Sequence, residues 1–346
     1  MKRAQRPGSV TIPFPVRLFV LAGSWLFSAL SGAAQPNSSS LMKLPAGVKE
    51  QSFLLAHHAG NMHYFIKPAR NSDTVTSALV VMHGYPHDAV NTLEAASQAA
   101  EGLAGADSVP IIAPFFQLPL RLTSRCSSQG LPVSQPGDAL WDCHSWLDGG
   151  KDRAKAVGAF QATDQLLAHL KQKWPDLRQV TLAGFSAGGQ FVQHYAGFAK
   201  PPSGLHMSYV ISDPGSWLYF DAIYPTTHCP QAGQWKYGLG KMPPELEEQA
   251  GQARERYRRA DITYLEGAED RGKGAGRDYR ILDKSCAAML QGTYRLDRGI
   301  HYARYDREML APLTPHRLYI VAGCDHKVGC VFPSAEGKRA LFASGR

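Results

Sequence analysis

The 346-residue sequence predicts an α/β fold built on a mostly parallel central sheet flanked by helices, with two irregular excursions that form a lid or pocket wall. Three observations lead there. Short apolar runs such as Ala78–Met82 and Met207–Ile211 are continuous rather than alternating, as strands covered on both faces require. Such runs alternate along the chain with segments of helical spacing. At Gln179–Tyr195 a β-branched run passes through a glycine-rich turn directly into a helix-spaced set, Phe191, Tyr195 and Phe198.

The first 34 residues read as a targeting segment rather than as part of the fold. Lys2, Arg3, Arg6 and Arg17 precede two apolar stretches, Leu18–Ala22 and Leu26–Leu30, and the small residues Ser31–Ala34 follow, which is a secretory signal layout. Cleavage is expected near Ala34. The rival, an uncleaved anchor, is disfavoured by Gly23, Ser24, Ser28 and Ser31 within the apolar run. Loss of this segment lowers the formal charge from +8 to about +4, which leaves little basis for nucleic-acid binding. Residues 35–346 are expected to form a single domain.

Beyond the polar linker Gln35–Ser40, His63–Ile66 is the expected opening strand and Ala78–Met82 the first buried one. A helix over Thr92–Leu103 and a strand over Val109–Ala113 follow. Residues 115–150 interrupt the rhythm with Pro, Gly, two cysteines, Trp141 and Trp146, and are expected to cross one edge of the sheet and wall a site. Lys151–Trp174 returns to helical spacing, and Pro175 ends it. After the elbow, Met207–Ile211 is a strand. Residues 215–259 form the second excursion, rich in aromatics and carrying a charged, solvated helix over Pro244–Arg258. Ile262–Leu265 restores the sheet, Ile281–Leu310 is largely helical, Arg317–Ala322 is the last strand, and a helix over Ser334–Phe342 closes the chain.

Six cysteines in a chain with an export signal favour disulfides. Proximity in the expected fold suggests Cys126 with Cys143 and Cys324 with Cys330, which leaves Cys229 with Cys286. A metal held by Cys324, His326 and Cys330 is the alternative, opposed by an oxidising compartment that would couple those thiols first. No metal or cofactor is expected.

The chemistry centres on Gly184-Phe185-Ser186-Ala187-Gly188-Gly189. A serine flanked two residues away by glycines, between a strand and a helix, is a nucleophile elbow. The pattern alone is common in a chain this rich in Gly and Ser, and Ser186 could be only a helix cap. A serine hydroxyl needs a histidine to take its proton and an acid to orient that histidine. These partners must come from loops at the carboxyl ends of strands. His326 follows the last strand and lies between Cys324 and Cys330, whose disulfide would clamp the loop. His144, His194 and His228 are read as ordinary residues, and His83 as a structural one. Asp270 follows the strand Ile262–Leu265 and is the first choice of acid, with Asp213 and then Glu269 behind it. The oxyanion is expected to meet the N–H groups of Ala187, after the nucleophile, and Tyr85, in the loop after Met82.

With His83-Gly84-Tyr85, Gly184–Gln190, Gly267–Asp270 and Cys324–His326 in order at strand ends, the chain resembles the α/β-hydrolase superfamily. More loosely it is similar to bacterial exported hydrolases related to esterases and polyhydroxyalkanoate depolymerases. The order Ser186, Asp270, His326 is the nucleophile, acid, base order of that superfamily. The resemblance implies the α/β-hydrolase fold, no cofactor, and acyl-enzyme chemistry on a small-molecule or polymeric ester in a periplasmic or extracellular setting. The cysteines around His326 depart from the common pattern. A peptidase or amidase using the same residues, and an inactive ligand-binding protein, are the rival readings.

Overall fold

The computed structural model describes residues 44–70, 74–126, 128, 131–224 and 227–342. The expected signal segment and its cleavage site lie outside them. No helix among the described residues is long and apolar enough to cross a membrane.

The strands are β1 (Lys49–Leu55), β2 (Gly60–Lys67), β3 (Ser77–Met82), β4 (Ile111–Phe115), β5 (Gln179–Phe185), β6 (His206–Ser212), β7 (Asp261–Gly267) and β8 (Arg317–Val321). They form one eight-stranded sheet in the order β1-β2-β4-β3-β5-β6-β7-β8. Pairing is antiparallel between β1 and β2 and between β2 and β4, and parallel from there to β8. This is the α/β-hydrolase fold. The expected opening strand is therefore the second: β1 precedes it as the outer arm of a hairpin. Its Lys49, Glu50 and Ser52 are exposed, so it lacks the apolar run that marks the inner strands.

The continuous apolar runs serve two cores. Along β3, Ala78, Val80 and Met82 enter one, with Trp146, Phe160 and Phe191, while Leu79 and Val81 enter the other, with Leu93 and Phe332. Successive side chains point to opposite faces, so a strand with helices on both sides needs an apolar residue at every position.

The helices in chain order are α1 (Ala89–Ala100), α2 (Leu120–Thr123), α3 (Ala159–Lys173), α4 (Ala187–Phe198), α5 (Pro244–Glu247), α6 (Ala250–Arg259), α7 (Cys286–Gln291), α8 (Arg295–Tyr305), α9 (Val328–Val331) and α10 (Ala335–Phe342). α1 begins and ends three residues before the expected Thr92–Leu103, the short α2 and α9 have no counterpart in the sequence reading, and three further stretches differ from expectation. α3 starts at Ala159 rather than Lys151, because Asp152 accepts the N–H groups of Ala154, Ala156 and Val157 and holds a turn there. Helix 244–258 is two pieces, α5 and α6. The stretch from Ile281 is helical only from Cys286 and breaks at Gly292, whose φ of 148° no α-helix accommodates.

Both excursions contribute to the wall of the cavity at Ser186, yet none of their Trp, Tyr or Phe residues lines it. Trp141, Trp146 and Trp217 are fully buried. Trp146 stacks on Phe116 at 5.3 Å and Trp217 on Tyr302 at 4.3 Å. Within this excursion the segment around Trp146 packs against α4, while Gly137 and Ala139 hydrogen-bond to Asn61 of β2. On α6, Glu255 is gripped by Arg258 and Arg259, and Arg254 turns to Asp221 at 3.0 Å.

Candidate active site

Ser186 stands between β5 and α4 with φ 58° and ψ −117°, a conformation that costs a non-glycine residue on the order of 1–3 kcal/mol. Its N–H donates to Ser212 O at 2.9 Å, and its carbonyl accepts from Gln190 N at 3.0 Å, so the sheet and the helix hold the strain. The flanking glycines permit the bend. A Cβ on Gly184 would run into the Gly188 carbonyl, and one on Gly188 into the Met82 carbonyl.

α4 is fixed by side chains that reach both excursions. Gln190 Nε2 donates to Asp148 Oδ1 at 2.8 Å, and Ser216 Oγ donates to Gln190 Oε1 at 3.0 Å. His194, buried, bonds Gln190 O at 2.7 Å and Lys236 O at 2.9 Å, which is a structural role. His144 lines the cavity beside Tyr85, with ring centroids 5.1 Å apart.

The structure brings Ser186, His326 and Asp270 together. His326 Nε2 is 2.8 Å from Ser186 Oγ, and His326 Nδ1 is 2.6 Å from Asp270 Oδ2. With the carboxylate on Nδ1, that nitrogen carries the proton and Nε2 is free to accept from the serine hydroxyl. The Cys324–Cys330 disulfide, with Cα atoms 5.6 Å apart, brackets the histidine. The Cys126–Cys143 and Cys229–Cys286 pairs are also formed. Burial, then the neighbouring Arg295 guanidinium, pull the His326 imidazole below its ordinary 6.5, against the opposing pull of Asp270.

The two other acids offered by the sequence are placed differently. Asp213 lies behind Asp270, its Oδ1 accepting from Gly267 N and its Oδ2 from Ser212 Oγ, each at 2.8 Å. Burial, then the negative charge of Asp270, push its carboxyl well above the usual range. Glu269 faces away and pairs with Arg277 at 3.6 Å. Asp213, Asp270 and His326 present donor atoms within 4.8 Å of one another, but His326 Nδ1 and Asp270 Oδ2 are spent on each other and both Asp213 oxygens on donors. Cys324 and Cys330 are joined, so the alternative cysteine–histidine metal site lacks its thiolates.

Tyr85 and Ala187 border the cavity beside Ser186. Ala187 N–H belongs to the first turn of α4, where a helix leaves its donors unpaired. The Tyr85 loop is tied down by Gly84 N donating to Asp88 Oδ1 at 2.8 Å and His87 N donating to Gly84 O at 3.1 Å. His83 is structural: Nδ1 donates to Gly84 O at 2.9 Å and Nε2 accepts from Phe116 N at 3.4 Å, while burial pulls the imidazole down to about 4.

Two cavities meet at Ser186, Tyr85 and Ile281. One, of about 470 Å³, runs past Ala187 toward Leu147, Lys236 and Asp283. The other, of about 490 Å³, runs past His326 toward Asp88, Asp278 and Lys327. Sequence reasoning missed the segment 281–295 that supplies Ile281, Leu282, Asp283 and Arg295 to the first cavity. Only the aromatics elsewhere suggested a wall, and nothing in an isolated arginine announces burial.

No protein-family model and no curated protein matches the chain. Among solved structures it is similar to LpqC, a poly(3-hydroxybutyrate) depolymerase from Bordetella parapertussis, at 19% identity and TM-score 0.57, covering 82% of this chain and 87% of that one. It is also similar to poly(aspartic acid) hydrolase-1 from Sphingomonas sp. KT-1, at 18% identity and TM-score 0.58, covering 85% and 98%.

Proposed function

We propose that the protein is an exported serine hydrolase that cleaves an ester through an acyl-enzyme on Ser186. The observation that carries this reading is the continuous line Ser186 Oγ, His326 Nε2, His326 Nδ1, Asp270 Oδ2, with heavy-atom gaps of 2.8 and 2.6 Å across the ring. In the first half-reaction Ser186 Oγ bonds to the carbonyl carbon as its proton passes to His326 Nε2, and the Tyr85 and Ala187 amides meet the oxyanion. The carbon–oxygen bond to the leaving alkoxide then breaks, and the alkoxide takes the proton from His326. Water repeats the sequence on the acyl-enzyme, giving up its proton to His326 and releasing the acid, and Ser186 recovers its proton.

Because His326 must reach the leaving group, the cavity that it borders is assigned to the alcohol side, and the cavity past Ala187 to the acyl side. Space on both sides of the serine suits a chain-like ester, and of the two similar solved structures reported above LpqC is named for depolymerising a polyester, the other for hydrolysing poly(aspartic acid), a polyamide. Three disulfides support an oxidising compartment outside the cytoplasm.

The test is a comparison of kcat/KM on p-nitrophenyl esters of two to eight acyl carbons with that on the matching anilides, using wild type and Ser186→Ala. Ester turnover lost in the variant, with anilides slower by 100-fold or more, is the expected result. Faster anilide cleavage would move the protein to amide chemistry, and wild type inert on both would overturn the reading.

A further inference from the structure

The carboxyl groups behind His326 outnumber what a serine, histidine and acid arrangement uses. Asp213 follows β6, Glu266 lies on β7 and Asp270 follows β7, all three buried at 0–2% exposure. Among the described residues a single guanidinium enters this nest. Arg295, at the first turn of α8 and 3% exposed, places Nη1 at 3.5 Å from Asp270 Oδ1 and donates from the same nitrogen to Arg277 O at 2.9 Å. Its Nε has no partner among the described residues. Four residues on, one turn along the same helix face, Gly299 lets α8 lie directly on Glu266: a Cβ there would run into the glutamate carboxyl.

The donors are shared unequally among the three acids. Asp270 has the imidazole on one oxygen and the guanidinium on the other. Asp213 has one backbone amide and one hydroxyl. Glu266 has neither oxygen bonded among the described residues. Three like charges cannot persist together in so dry a site, and the charge settles where the counter-charge is.

We propose that Arg295 is a positioning residue of the site read above as ester-cleaving: its buried guanidinium is the counter-charge to the one negative charge of the Asp213–Glu266–Asp270 nest, carried by Asp270, and as a cation close to the ring it opposes protonation of His326. Burial, then the charge of the neighbouring carboxylates, pushes both Glu266 and Asp213 well above the ordinary carboxyl range, which favours the protonated form of each. The other groups around His326 are accounted for. Asp278 faces it from the loop after β7 and raises its proton affinity; on its own loop Asp325 is paired with Lys327 at 2.9 Å. Arg295 is the cation that opposes protonation of the ring. This inference rests on the serine hydrolase reading for its effect on rate, but not for its charge arrangement.

The experiment follows the His326 imidazole by NMR in protein with isotope-labelled histidine, assigned with His326→Asn, beside the pH profile of kcat/KM on a p-nitrophenyl ester. In Arg295→Gln the His326 midpoint is expected to rise by about one unit, a tenfold gain in proton affinity, and the acid limb of the rate to move with it. Arg295→Lys, which keeps the charge, leaves the midpoint where it is. Glu266→Gln, the isostere of a protonated glutamate, also leaves it unmoved, and this arm stands even if Arg295→Gln does not fold. A slower Arg295→Gln enzyme with an unmoved midpoint would reduce Arg295 to a structural residue, and a fall of about one unit in Glu266→Gln would put the charge on Glu266 instead; either overturns the proposal. Midpoints that behave as expected in a protein that hydrolyses no ester would leave the charge arrangement standing and remove the ester reading.

Discussion

Replacing Asp270 by Asn separates this acid from its neighbour Asp213, which also offers an oxygen within 4.8 Å of the histidine. The Nδ1 to Oδ2 gap of 2.6 Å makes this a short, charge-assisted hydrogen bond, with both partners buried. When His326 takes the serine proton, the carboxylate faces an imidazolium whose charge centre lies about 3.5–4 Å away. At an effective dielectric of about 20 that attraction is worth ~4–5 kcal/mol, and its loss is worth three to four decades in rate. The variant also leaves the Arg295 guanidinium without its anion beside the ring, which adds to the loss in the same direction. Asp213→Asn removes no charge on this account and keeps one of the two contacts, from Gly267 N or Ser212 Oγ, so a change under about tenfold is expected. The assay is kcat/KM on a p-nitrophenyl ester near pH 8, with thermal melting to show that each variant is folded. Equal losses in the two variants, or a larger one in Asp213→Asn, would refute the assignment of the acid.

Three further outcomes follow from the same geometry. Gly188→Ala forces a Cβ into the Met82 carbonyl and is expected to cost about 2–4 kcal/mol of stability together with most activity, whereas Gly251→Ala, with nothing within 4 Å in α6, stabilises by up to about 1 kcal/mol; chemical denaturation of both measures the contrast. Removing the Cys229–Cys286 disulfide, which spans 57 residues, costs about 4 kcal/mol by chain entropy, and removing Cys324–Cys330, which spans 6, about 2 kcal/mol. Activity is expected to reverse that order, because the shorter bridge brackets His326, and ester turnover of the two paired Cys→Ser variants beside their melting curves checks it. Since burial and Arg295 depress His326, the neutral base persists below pH 6.5, so the wild-type acid limb of kcat/KM falls at a midpoint below 6.5 rather than above it.

What was legible in the sequence was whatever leaves a periodic or local trace. The inner strands were readable because both faces are covered, so every position of Ala78–Met82 is apolar. The elbow was readable because Gly184 and Gly188 leave a fixed imprint, and the loop of His326 because two cysteines frame it. β1 was missed because an edge strand with exposed Lys49, Glu50 and Ser52 carries no apolar run. The aromatics of 115–150 and 215–259 were read as a wall because sequence cannot tell a buried indole from an exposed one; Trp146 and Trp217 fill the core instead. Arg295 and Glu266 were invisible for the opposite reason. Each is an ordinary charged residue by its neighbours in sequence, and only the approach of α8 to β7 buries it.

The most direct test of the central claim is covalent labelling by a fluorophosphonate probe, read as a mass increase on intact protein and mapped by peptide sequencing. The account predicts one adduct per chain, on Ser186, absent from Ser186→Ala and slowed at least 100-fold in His326→Ala with the fold retained. A wild-type protein that takes up no probe, or an adduct that survives in Ser186→Ala, would contradict it.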